Sequence, residues 1–427
     1  MTRPPRQDIE ESSAAAPPAA NDHIAPAPRI SVQAFCETEE NAAAVRSAGE
    51  DRRLAKAHLT VKLGGMAAAI ETYGDAPTPN VIVLESQGSG DILANLDDLA
   101  GVCDPGTRVI VIGNENDDVP YRELVRRGVN DYVVGPVGPL DVVRSICSLF
   151  SASEAVTVGR VIAVVGAKGG VGASTVAHNV AWSIARNLKL DSVVVDLDLA
   201  FGTAGLDYNQ DPLQGIANAV FQPDRPDSAF IDRLLAKCTD HLSLLAAPAT
   251  LDRVYDFGLN AFDAIFDTLR MTTPCIVLDV PHQWSGWTKR VLEGADDILI
   301  VAEPDLANLR NTKNILNILK ASRPNDRVPL YCLNQVGMPK RPEIDTRSFA
   351  KTLESQPVAA IPFDCRLFGT AANNGQMIPE IAASHRASRM FHELAQRLTG
   401  LGETRKKARG SLFAPIINRL RTRSARG

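Results

Sequence analysis

The segment that most constrains this chain is a glycine-rich turn that follows a run of apolar residues. The run VIAVVG at 161–166 is typical of a buried strand, and AKGGVGASTVAHNVAWSIA continues it into a helical pattern. Glycines at 169, 170 and 172 let backbone N–H groups converge on one point. A strand, a glycine-rich turn, a Ser-Thr pair and a helix in this order predict a loop that binds phosphate groups.

One position of this loop departs from the phosphate-loop pattern G-x-x-x-x-G-K-[ST]. Ala173 stands at the lysine position, where a lysine would offset the charge that grows during phosphoryl transfer. Ser174 occupies the position whose hydroxyl ligates Mg²⁺, and Thr175 can reach an α-phosphate. We therefore expect nucleotide binding with slow or absent hydrolysis. Lys168 is the only lysine left in the loop.

Two series of short apolar runs alternate with helical patterns along the 427 residues. The first series is ISVQAF, HLTVKL, NVIVLE, RVIVIG and DYVVG, between residues 30 and 135. The second is VIAVVG, SVVVDLD, LSLLAA, CIVLDV, DILIVA and PLYCLNQ, between 161 and 335, followed by a helix near 384–399. Alternation of this kind predicts an α/β fold with two doubly wound domains.

The domain limits follow from changes in composition. We predict a disordered Pro- and Ala-rich leader at 1–28, a first domain at 29–150, a linker at 151–159, a second domain at 160–400 and a tail at 401–427. The seven scattered cysteines and the absence of a secretory signal favour the cytoplasm. The net charge of −5 includes eight Lys and Arg residues in the tail, so the rest is acidic and no specific nucleic-acid binding is expected.

The loop KGGVGAST resembles the deviant P-loop KGGxGK[ST] of the ParA/MinD family of dimeric ATPases, over roughly residues 160–400. The resemblance implies ATP and Mg²⁺ as cofactors and a homodimer in which Lys168 reaches the partner's nucleotide. It assigns catalytic roles to Lys168 and Asp198. It assigns Mg²⁺ binding to Ser174, with Asp279 close to the metal but not a direct ligand. The nucleotide-binding residues that it implies are Gly169, Gly170, Val171, Gly172, Ala173, Ser174, Thr175, Asn334 and Pro362.

Several of these assignments have plainer alternatives. Asp196 can cap a turn, Asp198 can be a solvated loop acid, and Asn334 can be an ordinary turn residue. The aromatic residues after the Asp279 strand, His282, Trp284 and Trp287, disfavour ordinary water activation. They predict either a partner contact or local surface packing.

A narrower resemblance comes from three features together: Ala173 in the loop, the segment DVPHQW, and IPFDCRLFGTAANNGQMIPE at 361–380. These look like the CpaE/TadZ family of tad (Flp-type) pilus assembly and localisation proteins. The resemblance implies an ATP-dependent localisation factor with tad assembly proteins as partners, at a cell pole and peripheral to the inner membrane. The alternative is an actively cycling ParA/MinD-type ATPase that positions cargo on DNA or membrane.

That family also implies a receiver-like (flavodoxin-like) N-terminal domain, and residues 29–150 fit its pattern without its chemistry. Phosphorylation needs an acidic pair, an Asp, a hydroxyl and a lysine at four strand ends. This chain has Cys36-Glu37, Glu85, Gly113 and Gly135-Pro136 there. We therefore predict a docking or dimerisation module rather than a phosphorylated response regulator. Glu85 is expected to be a residual surface acid, with mimicry of a charged state as the alternative.

The tail combines an apolar stripe with basic residues. In SLFAPIINRLRTR, Leu412, Ile416 and Leu420 recur every four residues, and three arginines follow or flank them. Such a segment suits an anionic membrane surface or a partner groove, and a disordered basic tail is the remaining alternative.

Overall fold

The computed structural model describes residues 24–86, 92–113, 121–151, 158–222, 226–251 and 253–401. Most of the predicted leader, residues 152–157 of the predicted linker and residues 402–427 of the predicted tail lie outside this part. Residues 24–399 form one compact unit that contains two parallel β-sheets.

The first sheet has the strand order β2-β1-β3-β4-β5, which is the flavodoxin-like doubly wound order. Its strands are β1 (Ile30–Cys36), β2 (Ala57–Leu63), β3 (Val81–Glu85), β4 (Arg108–Gly113) and β5 (Val129–Val134). Its helices are α1 (Glu39–Gly49), α2 (Gly65–Gly74), α3 (Ile92–Val102), α4 (Tyr121–Arg126) and α5 (Pro139–Ser151), with a 3₁₀ turn at Arg52–Leu54. Both faces of the sheet are packed, because buried side chains of alternate residues form one apolar cluster on each side.

The last residues of the predicted leader belong to this domain. Ala27 is buried in the apolar cluster on one face of the sheet, and Ile24 packs against the same cluster. The Ala27 N–H donates to the Arg53 carbonyl at 2.9 Å. The domain therefore begins about five residues before the predicted limit, because short apolar side chains gave no periodic signal there.

The second sheet has eight strands in the order β13-β12-β11-β6-β10-β7-β9-β8, and only β8 is antiparallel to its neighbour. The strands are β6 (Arg160–Gly166), β7 (Ser192–Asp196), β8 (Ala236–Thr239), β9 (Leu242–Leu245), β10 (Cys275–Val280), β11 (Asp297–Ala302), β12 (Leu330–Val336) and β13 (Ala360–Pro362). The short edge strands β8 and β13 were not predicted. With four and three residues, they are too short for an apolar period.

Helices cover both faces of this sheet. They are α6 (Ala173–Asn187), α7 (Ala204–Asp207), α8 (Ile216–Val220), α9 (Ser228–Leu234), α10 (Asp263–Thr272), α11 (Gly286–Gly294), α12 (Leu306–Ser322), α13 (Thr346–Leu353), α14 (Cys365–Asn374), α15 (Ile378–Ile381) and α16 (Arg386–Thr399). Two large apolar clusters, one on each face, form the core. None of the helices that the structure describes has the length and apolar character needed to span a membrane.

The two sheets are joined by buried ion pairs. Arg52 lies in the 3₁₀ turn after α1, and its guanidinium contacts Asp326 at 2.7 Å and Asp296 at 3.2 Å in the second domain. Arg53 contacts the same Asp326 carboxylate, and Arg323 contacts it from the other side at 2.9 Å. The first domain is thus attached to the end of α12 by charged groups that are almost fully buried.

Candidate functional site

The glycine-rich turn lies at the carboxyl end of β6, and α6 begins directly after it at Ala173. Gly170 and Gly172 have φ values of +83° and +79°, which favour glycine. A Cβ on Gly172 would lie 2.6 Å from Nδ2 of Asn334, so the turn also needs glycine for space. This geometry fits a phosphate group, because the close-packed turn leads directly into a helix N-terminus.

Side chains from distant segments hold the carbonyl oxygens of this turn. Nδ2 of Asn334 donates to the Val171 carbonyl at 2.8 Å, and Nε2 of Gln335 donates to that of Gly170 at 3.1 Å. Nδ2 of Asn311, on α12, donates to the Ala167 carbonyl at 2.9 Å. Carbonyl oxygens would repel an anion, and here three of them already accept hydrogen bonds. Sequence reasoning missed Gln335 and Asn311, because nothing local marks residues that lie more than 140 positions from their partners.

The predicted residues at the start of α6 lie where the loop pattern put them. Ser174 and Thr175 are half-buried in the first turn of the helix, and Ala173 precedes them. Lys168 lies at the rim, with about half of its side chain exposed and Nζ 3.8 Å from Oδ2 of Asp305.

Two of the acids lie side by side on neighbouring strands. Asp279 of β10 and Asp196 of β7 are register partners, and both are buried. Burial and the adjacent Asp279 raise the pKa of Asp196 to about 7. The Asp196 carboxylate accepts hydrogen bonds from the N–H groups of Asp198 and Ala204, both at 3.1 Å. Asp196 therefore holds the loop after β7, as the capping alternative predicts.

Asp198 lies in that loop at the carboxyl end of β7. It is half-buried, and its Oδ1 accepts the N–H of Phe201 at 3.0 Å. The loop that Asp196 and Asp198 organise ends in α7, whose last residue, Asp207, contacts α6. The structure thus brings the acids of β7 and β10 to the same edge of the sheet as the glycine-rich turn.

A cleft of about 140 Å³ opens beside the turn and the first residues of α6. Four of the predicted nucleotide-binding residues line it: Gly172, Thr175, Asn334 and Pro362. Asn334 is 5% exposed and already donates to the loop, so its amide also supports the turn. Phe363 and Phe368 give the cleft an apolar side that suits a planar base.

The aromatic residues after β10 have separate environments. Trp287 is buried in the core, with its ring centroid 5.1 Å from that of Phe262. The prediction of a surface or partner role is wrong for Trp287, because it lies on the inner face of α11. Trp284 is about half exposed, and Nδ1 of His282 lies 3.0 Å from the Gly166 carbonyl.

His282 and Trp284 line a cavity of about 320 Å³ between the glycine-rich turn and α12. The apolar residues Ile315 and Ile318 of α12 form the opposite wall. The segment DVPHQW thus borders the glycine-rich turn directly.

In the first domain, Glu85 is buried, and its prediction as a surface acid is wrong. It is 1% exposed at the end of β3. Its carboxylate accepts the N–H groups of Glu37 and Thr38, the Thr38 hydroxyl and Nδ2 of Asn41, at 2.7–3.0 Å. Four donors at the start of α1 hold the anion, which makes its burial possible. Sequence alone could not place these donors, because they come from another strand end.

Comparison with known proteins finds relatives of a large part of this chain. Residues 159–328 match a family model described as an AAA domain. The septum site-determining protein MinD of Synechocystis is 27% identical over 38% of this chain and 60% of its own length. The chain thus spans less than two thirds of that relative. MinD of Thermotoga maritima is 26% identical over 57% of this chain and 89% of its own length.

Two solved structures share a fold with more than half of this chain. A ParA family ATPase from Chlorobium tepidum has a TM-score of 0.50 and 24% identity over 55% of this chain and 98% of its own. MinD from Pyrococcus horikoshii, solved with Mg-ADP, has a TM-score of 0.51 and 17% identity over 57% of this chain and 97% of its own. The pilus assembly protein CpaE from Caulobacter crescentus is 45% identical over 29% of this chain and 96% of its own, with a TM-score of 0.28. The chain therefore contains a domain with the fold of the ParA and MinD structures.

Proposed function

We propose that this protein binds ATP with Mg²⁺, dimerises around the nucleotide with weak or absent hydrolysis, and acts as a localisation and assembly factor for a tad (Flp-type IV) pilus secretion system. The observation that carries the proposal is the glycine-rich turn that leads into α6. It keeps the backbone N–H groups and the helix start of a phosphate loop, but it has Ala173 at the lysine position. Phosphate binding depends on backbone N–H groups and the helix dipole, which are retained. Acceleration of transfer depends on the missing lysine.

Each binding residue has a part in this proposal. The N–H groups from Gly169 to Ala173 would bind the phosphates, and Asn334 and Pro362 would border the base. The Ser174 hydroxyl would ligate Mg²⁺, and Asp279 would orient a water of its shell. Bound Mg²⁺ neutralises phosphate charge. Asp198 is held in its loop by hydrogen bonds, and it would orient a water near the phosphates.

In this proposal Lys168 makes the contact between one protomer and the nucleotide of the other. Its ammonium group lies at the rim of the site, where its 3.8 Å contact with Asp305 is half exposed and therefore weak. Exchange of this contact for a phosphate of a facing protomer would cost little and gain a charge-assisted hydrogen bond. A nucleotide that contacts both protomers binds the dimer more tightly than the monomer and shifts the equilibrium toward it.

The pilus role rests on the residue pattern that the CpaE/TadZ family shares with this chain, namely Ala173, DVPHQW and the segment 361–380. In the proposal the first domain is a receiver-like docking module. Its acid position is filled by Glu85, which is already bonded to four donors, so phosphate would not be accepted there. Its attachment through Arg52 would make it move together with the nucleotide domain. Pilus assembly proteins at a cell pole would dock on it, with the tail as a possible contact to the inner membrane.

Light scattering of the full chain with and without ATP and Mg²⁺ tests the dimer. We expect the wild-type mass to double with ATP, and we expect Lys168→Ala to stay monomeric while it still binds ATP. Lys237→Ala is the matched control, because Lys237 is an exposed lysine on edge strand β8. ATP-dependent dimerisation of Lys168→Ala at the wild-type level would refute the assigned role.

The alternative is an actively cycling ParA/MinD-type ATPase that positions cargo on DNA or membrane. The observation that favours it is the position of Asp198 and Asp279 at the same sheet edge as the phosphate loop. It requires turnover without a lysine at 173, which a phosphate-release assay measures directly.

A further inference from the structure

The nucleotide domain contains two adjacent buried carboxylates whose charge needs a partner. Asp196 is fully buried and Asp279 is 4% exposed, and their strands are neighbours in register. Two ionised carboxylates on adjacent strands repel one another, and burial removes the water that would otherwise stabilise each charge. In the usual phosphate-loop pattern a lysine follows the last glycine, at the start of the helix that leaves the carboxyl end of this strand layer. Ala173 provides no such cation.

The structure places a histidine against this pair. His178 lies on α6, five residues after Ala173, and none of its surface is exposed. Its Nε2 lies 3.2 Å from Oδ2 of Asp279, a contact that has the distance of an ion pair without hydrogen-bond geometry. Its Nδ1 lies 2.7 Å from Oδ2 of Asp207, the last residue of α7.

Tyr208 contacts both the ring and the backbone of His178. The ring of Tyr208 lies 5.4 Å away between centroids, and the Tyr208 hydroxyl donates to the His178 carbonyl at 2.8 Å. A buried histidine with a carboxylate beside each ring nitrogen carries a positive charge, because the two acids stabilise the imidazolium form. Its contacts connect three parts of the site: the helix after the phosphate loop, the strand of Asp279 and the loop after β7.

We propose that His178 is a positioning residue of the nucleotide site, which supplies against Asp279 the positive charge that Ala173 cannot provide and which ties Asp279 to Asp207. The role at Mg²⁺ rests on the proposed function, since Asp279 would face the metal only there. The bridge itself belongs to the ligand-free protein. The plainer reading, a histidine that only fills space, predicts no energetic connection between positions 178 and 173.

A double-mutant cycle on the ligand-free full chain distinguishes the two readings. His178→Gln keeps a polar side chain of similar length and removes the charge, and we expect it to lower Tm by about 5 °C. Ala173→Lys adds a cation at the carboxyl end of β6, beside β10 and Asp279. We expect Ala173→Lys to leave Tm unchanged or lower in the wild-type background, and to restore about half of the loss in the His178→Gln background.

The control is His392→Gln. His392 lies on α16 and contacts the side-chain amides of Asn187 and Gln396. We therefore expect Ala173→Lys to shift the Tm of the His392→Gln variant by the same amount as it shifts the Tm of the wild type. Equal shifts from Ala173→Lys with and without His178 would overturn the proposal. If His178→Gln does not accumulate as folded protein, recovery of folded protein in the double variant supports the proposal and failure to recover overturns it.

The same variants separate this inference from the proposed function. Binding of a fluorescent ATP analogue with Mg²⁺ is measured in parallel with Tm. A wild-type protein that binds no ATP would refute the proposed function, and the coupling measured without ligand would still stand. Normal ATP binding with no coupling between 173 and 178 would refute the role of His178 alone.

Discussion

Arg52 donates from Nε to Oδ2 of Asp326 at 2.7 Å, and this contact fastens the first domain to the nucleotide domain. Asp326 follows α12, whose N-cap residue, Asp305, contacts Lys168 at the other end. One helix of 17 residues therefore runs from the rim of the phosphate loop to the attachment point of the first domain. In the proposed function, this helix would connect the Lys168 contact at the dimer interface to the first domain.

Removal of Arg52 tests the strength of this attachment. Arg52→Ala leaves Asp296 and Asp326 buried with one cation fewer, and we expect the free energy of unfolding to fall by about 3 kcal/mol. Urea unfolding followed by circular dichroism measures the loss. Arg46→Ala is the control, since Arg46 pairs with Glu39 on the surface of the same domain, and little change is expected there. Equal urea midpoints for Arg52→Ala and Arg46→Ala would contradict the role of Arg52 in attaching the first domain.

The attachment also has a predicted pH dependence. Burial acts to raise the pKa of Asp326, but Arg52 and Arg323 outweigh it and lower the pKa below its ordinary value of 3.8. A lowered pKa stabilises the fold above the ordinary value, and this stabilisation is lost as the pH falls through the folded value. The Tm difference between wild type and Asp326→Asn should be constant above pH 5 and shrink below about pH 4. A Tm difference that grows as the pH falls below 4 would contradict the lowered pKa of Asp326.

Ala173→Lys separates the proposed function from its alternative. We expect the wild-type protein to release little phosphate from ATP, and we expect the added lysine to raise the rate by at least about tenfold. A colorimetric phosphate-release assay at saturating ATP measures both. Clear wild-type turnover that the lysine does not raise would favour the cycling ATPase.

Gly172 is predicted to be indispensable for the phosphate loop. Gly172→Ala puts a Cβ 2.6 Å from Nδ2 of Asn334 at a φ of +79°, and we expect a loss of about 1–3 kcal/mol in stability. ATP affinity should fall at least about tenfold, because the amide of Asn334 must move off the loop. Equilibrium dialysis gives the affinity. Gly258→Ala, where an added Cβ meets nothing within 4 Å, should behave like wild type.

Glu85 should be needed for the first domain without being a phosphorylation site. Glu85→Gln puts an NH₂ group toward backbone and side-chain donors, and we expect stability to fall by about 1–3 kcal/mol. Glu71→Gln, at an exposed position of α2, is the control. Incubation of the full chain with labelled acetyl phosphate should leave it unlabelled. Stoichiometric labelling would restore the response-regulator alternative.

Local patterns were enough to predict much of this protein. Each of the eleven apolar runs coincides with a strand, since most of these strands are buried and their apolar composition marks them, while edge strand β2 is marked by alternation. The glycines of the loop predicted a glycine-rich turn between β6 and α6, which the structure has, because the turn needs that residue type at that spacing.

Contacts between charged residues that lie far apart in the sequence could not be predicted from local patterns. Glu85 was predicted to be a surface acid, and no local pattern marks His178. The partners of Glu85 lie more than 40 positions away, at Glu37, Thr38 and Asn41. The same holds for Arg52, whose carboxylates lie more than 240 positions further along the chain.

The sequence by itself determined the two α/β domains and the phosphate loop without its lysine, because backbone geometry and burial impose patterns over a few neighbouring residues. Only the tertiary structure decided which buried charges are neutralised, and by which residue. That outcome depends on side chains that the order of strands in the sheets brings into direct contact, and local sequence patterns do not reveal strand order. The place of His178 between Asp207 and Asp279 is the clearest example.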